Sequence, residues 1–243
     1  MNKQPLISCI CVTKDRSDYL RRAVLCFISQ DYQNKELVIS IPEDDDLSKI
    51  VVDDIQENNL IKIKVIKRSK EMSLGNARNQ AISRCSGEYI CIWDDDDWYH
   101  TSRLNYQFNC LKTVNFRFQA CVLSRIILYD LISKTAYYSF SYTWDGTLFC
   151  KKEILLQNQY ANSNFGEDTH VISFLSGKNQ LLLTEKAPYL YIYVYHGENT
   201  WDYNHFKYFL QKSEKFDETT NNSVRMLVSP INYYDHKCLS DQP

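Results

Sequence analysis

An α/β fold with a mainly parallel, Rossmann-like central sheet flanked by helices is what this sequence predicts, on three observations. Strand and helix patterns alternate over residues 1–100, the last strand of that stretch is a near-continuous apolar run from Tyr89 to Trp93, and it ends in four consecutive aspartates. Alternation of this kind builds βαβ units and a parallel sheet covered on both faces. From about residue 101 the pattern changes, and a smaller mixed or antiparallel part is expected.

The elements follow in order. Leu6–Val12, behind Pro5, is an apolar run that reads as the first strand. Asp18–Gln30 sets Tyr19, Leu20, Ala23, Val24, Phe27 and Ile28 at helical spacing. Leu37–Ile41 is the second strand, and the acidic turn Glu43–Asp46 leads into a helical stretch ending near Asn58. Ile61–Ile66 is the third strand, Gly75–Ser83 a helix, and Glu88–Trp93 the strand that delivers the aspartates. Ala120–Tyr129 and Thr135–Tyr142 read as a hairpin around Asp130–Lys134, and Thr147–Cys150, Leu181–Thr184 and Pro188–Tyr195 as strands. Asp168–Ser176 is helical.

Phe206–Phe216 reads as a last amphipathic helix, with Phe206, Phe209 and Leu210 on one side and Lys207, Lys212 and Lys215 elsewhere. That pattern suits docking on the sheet, or lying on an anionic membrane surface. The tail from Asp217 is polar at first and is expected to be loose. No repeat, linker or low-complexity segment divides the chain. One domain over residues 1–243 is the economical reading, with halves at about 1–100 and 101–216 and a tail at 217–243.

Composition bounds the function. Apolar residues make up 44% and charged residues 24% of the 243, ordinary values for a globular protein. The net charge of −2 gives no general grip on nucleic acid. The nine Cys include no C-x-x-C pair and no zinc spacing, and Cys9, Cys11 and Cys91 sit inside strand runs. They read as small buried hydrophobes in a reducing compartment, and cytoplasmic residence is the expectation. No stretch approaches the 18 or so apolar residues of a membrane span. The 18 Tyr fit a protein that stacks rings or sugars against its surface.

The run I-C-I-W-D-D-D-D-W at 90–98 carries the most chemistry. Open α/β sheets place ligands at the carboxyl ends of their strands. Carboxylates this close repel one another unless a cation offsets them. In an extended segment Asp94 and Asp96 would point one way and Asp95 and Asp97 the other. Mg²⁺ or Mn²⁺, bridging one or two carboxylates and a pair of phosphates, suits that arrangement. An EF-hand does not, because the run lacks the turn Gly and the closing Glu.

Four other segments stand out: Val12-Thr13-Lys14-Asp15-Arg16, Gly75-Asn76-Ala77-Arg78-Asn79, Gly166-Glu167-Asp168, and His196-Gly197-Glu198-Asn199-Thr200-Trp201. Together with the aspartate run, the stretches I-S-C-I-C-V-T-K-D-R (7–16), L-G-N-A-R-N-Q-A-I (74–82), G-E-Y-I-C-I-W-D-D-D-D-W (87–98), G-E-D (166–168) and H-G-E-N-T-W (196–201) resemble the inverting family 2 glycosyltransferases of the GT-A fold. The likeness lies in their order and spacing.

The resemblance implies transfer of a sugar from a nucleotide sugar, a UDP-sugar, to a glycan or glycolipid hydroxyl in bacterial surface polysaccharide synthesis. It places Asp96 and His196 on the metal, and Asp94 and Asp95 near the ribose and donor sugar. Thr13 and Asp15 fall where the nucleoside is held, Arg16 within the nucleotide-sugar site, and Arg78 where the diphosphate lies. Asp168 matches the general base, with Glu167 beside it. The second strand departs from the family's Asp-Asp-x-Ser: it ends Ser40-Ile41-Pro42-Glu43-Asp44, so Glu43 or Asp44 would have to substitute and the nucleoside stays open. Trp144 and Asp145 are read as an acceptor platform or as core.

The chemistry stands beside the resemblance. A leaving diphosphate needs its charge neutralised, and the acceptor hydroxyl needs one carboxylate within reach. A nucleotidyltransferase would want glycines at Thr13–Arg16, where there are none. A binding protein without turnover would not need both the aspartate run and Glu167–Asp168. The expected partners are a nucleotide-sugar donor and a glycan or lipid-linked acceptor, with peripheral contact at the inner membrane face left open.

Overall fold

In a computed structural model that describes residues 4–58 and 62–229, the chain runs β1 (Ile7–Val12), α1 (Ser17–Ile28), β2 (Lys35–Pro42), α2 (Asp46–Asn58), β3 (Ile63–Arg68), α3 (Leu74–Arg84) and β4 (Tyr89–Ile92). These are the predicted βα units. They continue into β5 (Trp98–Tyr99), α4 (Arg103–Thr113), β6 (Ala120–Leu123), β7 (Ile127–Asp130), β8 (Thr135–Tyr138) and, after a 3₁₀ turn at Asp145–Thr147, β9 (Phe149–Lys151). Then come α5 (Lys152–Gln157), α6 (Thr169–Gly177), β10 (Leu181–Thr184), β11 (Tyr191–Tyr195), α7 (Tyr203–Gln211), β12 (Glu214–Lys215) and α8 (Glu218–Val228).

The main sheet has seven strands in the order β10-β6-β9-β4-β1-β2-β3, and among the described strands β9 alone runs against the rest. Its centre is buried on both faces. Cys9, Cys11, Leu37, Ile39 and Cys91 pack against α1, α2 and α4, while Ile10, Val38, Ile90 and Ile92 pack against α3, α5 and α6. Burial on both faces is why these strands read as unbroken apolar runs. Each fully buried aliphatic side chain contributes about 1.5–3 kcal/mol. The eight cysteines among the described residues are free thiols, seven of them buried, as small hydrophobes should be.

The connections β1→β2→β3 run to one side of β1, and β4 pairs on the other. The crevice at that reversal, outside the strands' carboxyl ends, is the expected ligand position for such a sheet. A second sheet, β12-β8-β7-β11-β5, closes over this end.

Several boundaries differ from the sequence reading. Ala120–Tyr129 is not one strand: β6 belongs to the main sheet and β7 to the second, with the chain changing sheets at 124–126. Ser124 and Arg125 are the sequence's mark of that change, but two polar residues inside an otherwise apolar run do not by themselves end a strand. Phe206–Phe216 divides into α7 and β12. On α7, Phe206, Phe209 and Leu210 are buried, so the helix docks on the protein and those rings do not reach a membrane. The expected loose tail instead forms α8, capped by Asp217, which accepts from the Thr220 N–H at 2.7 Å, and packed through Val224 and Val228. The tail beyond residue 229 and the start of the predicted strand at residue 61 lie outside the described residues. Among the described residues no helix is long and apolar enough to cross a membrane.

Candidate active site

The aspartates leave β4 in a tight turn rather than an extended strand, and this changes where they point. Asp95 and Asp96 do not face opposite ways: both approach Arg16, whose Nη1 is 3.6 Å from Asp95 Oδ1 and 3.0 Å from Asp96 Oδ2. Thr13, at the end of β1, donates its hydroxyl to Asp95 Oδ2 at 2.5 Å across the crevice. Asp97 is tied down structurally, accepting from the Tyr191 hydroxyl and, at 2.9 Å, from the Val194 N–H. This anchors the turn to β11.

Burial and mutual repulsion divide the four carboxyls. Burial, then the Asp96 charge, pushes Asp95 up to about 7. Burial likewise raises Asp94 and Asp97. Asp96 goes the other way: against burial, the His196 hydrogen bond and the Arg16 and Arg22 charges hold its carboxyl below the usual range. Asp96 is therefore the carboxyl of the run whose charge its surroundings favour most. His196 Nε2 lies 3.1 Å from its Oδ2, and His196 itself follows β11.

Those two residues fit a divalent ion of the kind that sits on phosphates. Among the described residues no group of three or more His, Cys, Asp or Glu side chains is arranged to hold a metal by itself. A site of one carboxylate and one imidazole needs further oxygens from a bound diphosphate or water, which is how Mg²⁺ is commonly held.

The opposite wall of the crevice is built by α3. Ser73 caps it, accepting from the Asn76 N–H at 3.3 Å. Arg78 then reaches two acids at once, donating from Nη2 to Asp94 Oδ1 at 3.0 Å and from Nη1 to Glu167 Oε1. Although burial opposes its charge, Asp94 and Glu167 raise the Arg78 pKa further. The loop carrying Glu167 is pinned to the same helix. Asn79 exchanges two 2.9 Å hydrogen bonds with the Tyr160 backbone, and the Gly75 N–H donates to Ser163 O at 3.0 Å. A Cβ on Gly75 would come within 1.8 Å of Ala161 O. Gly75 is thus required for a close backbone approach, beyond the turn role its sequence context suggests.

Asp168, Asp145, Glu167, Arg78 and the aspartate run line one cleft of about 340 Å³. Burial first, and the Asp168 charge next, pushes Asp145 up to about 8. Its neighbour Gly146 leaves room for Asp94: a Cβ there would meet Tyr191 Oη at 2.6 Å and Asp94 Oδ2 at 3.1 Å. The 3₁₀ turn thereby approaches Asp94 with one residue and brings its neighbour to Asp168's side.

Trp144 is 8% exposed and packs against Phe140, Tyr142 and Phe209, so most of its ring is core and only an edge reaches the cleft. The exposed rings lining the cleft are Trp201 and Tyr142, and Phe165 packs on Trp201 from beside it with centroids 5.5 Å apart. Sequence reasoning assigned none of these three, nor His205, which stacks on Trp201 at 4.4 Å. The excess of aromatic residues was the available signal.

Three predicted nucleoside residues stand off from this cleft. Asp15, Glu43 and Asp44 are exposed, and Asp44 pairs with Lys70 at 2.9 Å. The buried acid of the segment is Asp45, which accepts from the Asp15 N–H at 2.9 Å and the Ser48 N–H at 3.0 Å. A second hollow beside Thr13 and Asp95 is lined instead by Lys14, Arg16, Arg68 and Lys70. Arg68, also unassigned in sequence, is buried and donates to Thr13 O at 2.8 Å.

Comparison with known proteins matches residues 8–120 to Glycosyl transferase family 2. The chain is 31% identical over 94 residues to the GalNAc(5)-diNAcBac-PP-undecaprenol beta-1,3-glucosyltransferase of Campylobacter jejuni, covering 38% of this chain and 30% of that protein. It is 27% identical over 108 residues to the UDP-Glc:alpha-D-GlcNAc-diphosphoundecaprenol beta-1,3-glucosyltransferase of Escherichia coli, covering 44% and 42% respectively. The matches thus span less than half the length of these relatives. Among solved structures, TarS of S. aureus in complex with UDP shares the fold at TM-score 0.60 and 14% identity, covering 79% of this chain and 61% of that one. The mannosyltransferase PcManGT from Pyrobaculum calidifontis, in complex with GDP-Man and Mn²⁺, does so at TM-score 0.64 and 13% identity, covering 82% and 59%. The fold is the GT-A fold of these neighbours.

Proposed function

We propose, for a chain that belongs to glycosyl transferase family 2 through residues 8–120, that it moves a sugar from a UDP-sugar to a hydroxyl of a glycan or lipid-linked glycan, with inversion at the anomeric carbon. The observation that carries this reading is the double reach of Arg78. It sets Asp94, on the donor side, and Glu167, beside Asp168, on one cleft.

The donor would lie in the crevice between β1 and β4, with its diphosphate near Arg78 and Arg16. Asp96 and His196 would hold Mn²⁺ or Mg²⁺, which when bound neutralises the charge growing on the leaving diphosphate. Asp168 takes the acceptor's hydroxyl proton as that oxygen attacks. Glu167, paired to Arg78, holds the segment carrying Asp168 in place. Asp145, buried beside Asp168, is suited to a hydrogen bond with an acceptor hydroxyl. Trp201 and Tyr142 offer apolar faces for sugar rings in the cleft, with Phe165 packed on Trp201. One base acting on the acceptor side supports a single displacement, hence inversion.

The named relatives support a bacterial setting with undecaprenyl-diphosphate-linked acceptors. Such an acceptor would be met at the inner membrane face, which peripheral contact would serve. A screen of nucleotide sugars, read out as nucleotide release, tests the reaction. The anomeric configuration of the product, read by NMR, tests its course. Nucleoside diphosphate released together with an inverted glycoside supports the proposal. Binding without turnover of any donor, or a retained configuration, contradicts it.

A further inference from the structure

The Asp96 carboxylate, where the proposed reaction puts its metal, already has a cation on it. Arg16 Nη1 stands 3.0 Å from Asp96 Oδ2, the same oxygen that His196 Nε2 approaches at 3.1 Å and Asn199 Nδ2 at 3.5 Å. The guanidinium also lies 3.6 Å from Asp95 Oδ1, so one positive charge answers both carboxylates. A divalent ion on that oxygen would sit against a like charge at close range, which disfavours it.

The guanidinium is partly open to solvent. Its side chain is 24% exposed, and its second anchor is a backbone carbonyl, that of Glu198, accepting from Nη2. Glu198 follows Gly197, whose backbone has φ +93° and open space around it. Arg16 also lines both the donor cleft and the neighbouring basic hollow, within reach of an anion in either.

From this geometry, and resting on the proposed reading of the site, we infer that Arg16 is a displaceable counter-cation that competes with a divalent ion for Asp96. It holds the aspartates in the metal-free protein and makes metal binding conditional on a diphosphate. The diphosphate supplies what the exchange needs: a new anionic partner for the guanidinium, and oxygen ligands for the ion. Arg16 is a positioning residue in this account, since it acts on the reaction through the metal's affinity.

The test is Mn²⁺ binding without any donor, followed by the free-Mn²⁺ signal in electron paramagnetic resonance. Wild type should bind Mn²⁺ alone weakly. Arg16→Gln should bind it about tenfold more tightly, the scale on which a neighbouring charge alters a carboxylate's hold on a cation. Arg16→Met, uncharged and of similar length, should behave alike, and Arg16→Lys should remain near wild type. Thermal melting checks that each variant folds.

In the same series, UDP and GDP binding by equilibrium dialysis should depend on Mn²⁺ in wild type and be lost in Asp96→Asn. Unchanged or weaker Mn²⁺ affinity in folded Arg16→Gln and Arg16→Met, with Asp96-dependent Mn²⁺–nucleotide binding intact, overturns the role of Arg16 alone. No Asp96-dependent binding with either nucleotide overturns the metal reading and this inference together.

Discussion

Arg78 and Glu167 form an ion pair with side chains only 10% and 5% exposed, joining α3 to the loop that carries the proposed base. The same guanidinium holds Asp94. Removing it leaves two acids partly buried without their cation, and breaking such a pair typically costs about 3–5 kcal/mol. Arg78→Met should lower the melting temperature sharply and abolish turnover. Arg78→Lys, which keeps the charge but not the two-pronged reach, should fold better and still lose most activity. A melting curve and a nucleotide-release assay on both variants check this.

Gly75→Ala tests the pinning of that loop. A Cβ 1.8 Å from Ala161 O cannot be accommodated without moving backbone, so the 161–168 segment must shift away from α3. Turnover should fall while Mn²⁺-dependent nucleotide binding persists, because the aspartate turn rests on β4 and β11 instead. Equal loss of both would place the damage elsewhere.

The pH dependence of stability has a defined sign at Asp145. Its carboxyl is pushed up to about 8 in the fold, chiefly by burial and then by the Asp168 charge, whereas an unfolded aspartate titrates near ~3.9. Between these values the folded state binds the extra proton, so this contribution is present at low pH and is lost as pH rises through about 8. The melting temperature should fall from pH 6 to pH 9, and the fall should be shallower in Asp145→Asn. Parallel curves for the two proteins would contradict the assignment.

The central strands β1, β2 and β4 were legible because they are buried on both faces, and the crevice because four aspartates end one of them. What escaped the sequence was set by tertiary contact. The change of sheet between Leu123 and Ile127 is marked in sequence only by Ser124 and Arg125, between apolar runs that read as one strand. The Asp217–Thr220 cap did signal α8, but polar residues after it masked the Val224 and Val228 spacing. Arg68 and the Phe165–Trp201 pair come from segments distant in sequence, and only the fold brings them to the site. The turn conformation that sends Asp95 and Asp96 to the same guanidinium is likewise invisible to strand alternation.

Metal removal follows from the proposed chemistry. Excess chelator should abolish nucleotide release from the donor, and Mn²⁺ or Mg²⁺ should restore it. Asp96→Asn should weaken metal-dependent nucleotide binding more than Asp94→Asn, because Asp96 carries the His196 contact and is held anionic. Full activity in chelator would remove the metal from the account.

The most direct test of the account as a whole is Asp168→Asn, measured at once for nucleotide binding with Mn²⁺ and for sugar transfer. Loss of a general base costs about 10²–10⁴ in rate, while the donor side of the cleft keeps Asp94, Asp96, Arg78 and His196 untouched. The predicted result is Mn²⁺–nucleotide affinity close to wild type with transfer reduced by that factor. Transfer at the wild-type rate in Asp168→Asn would contradict it.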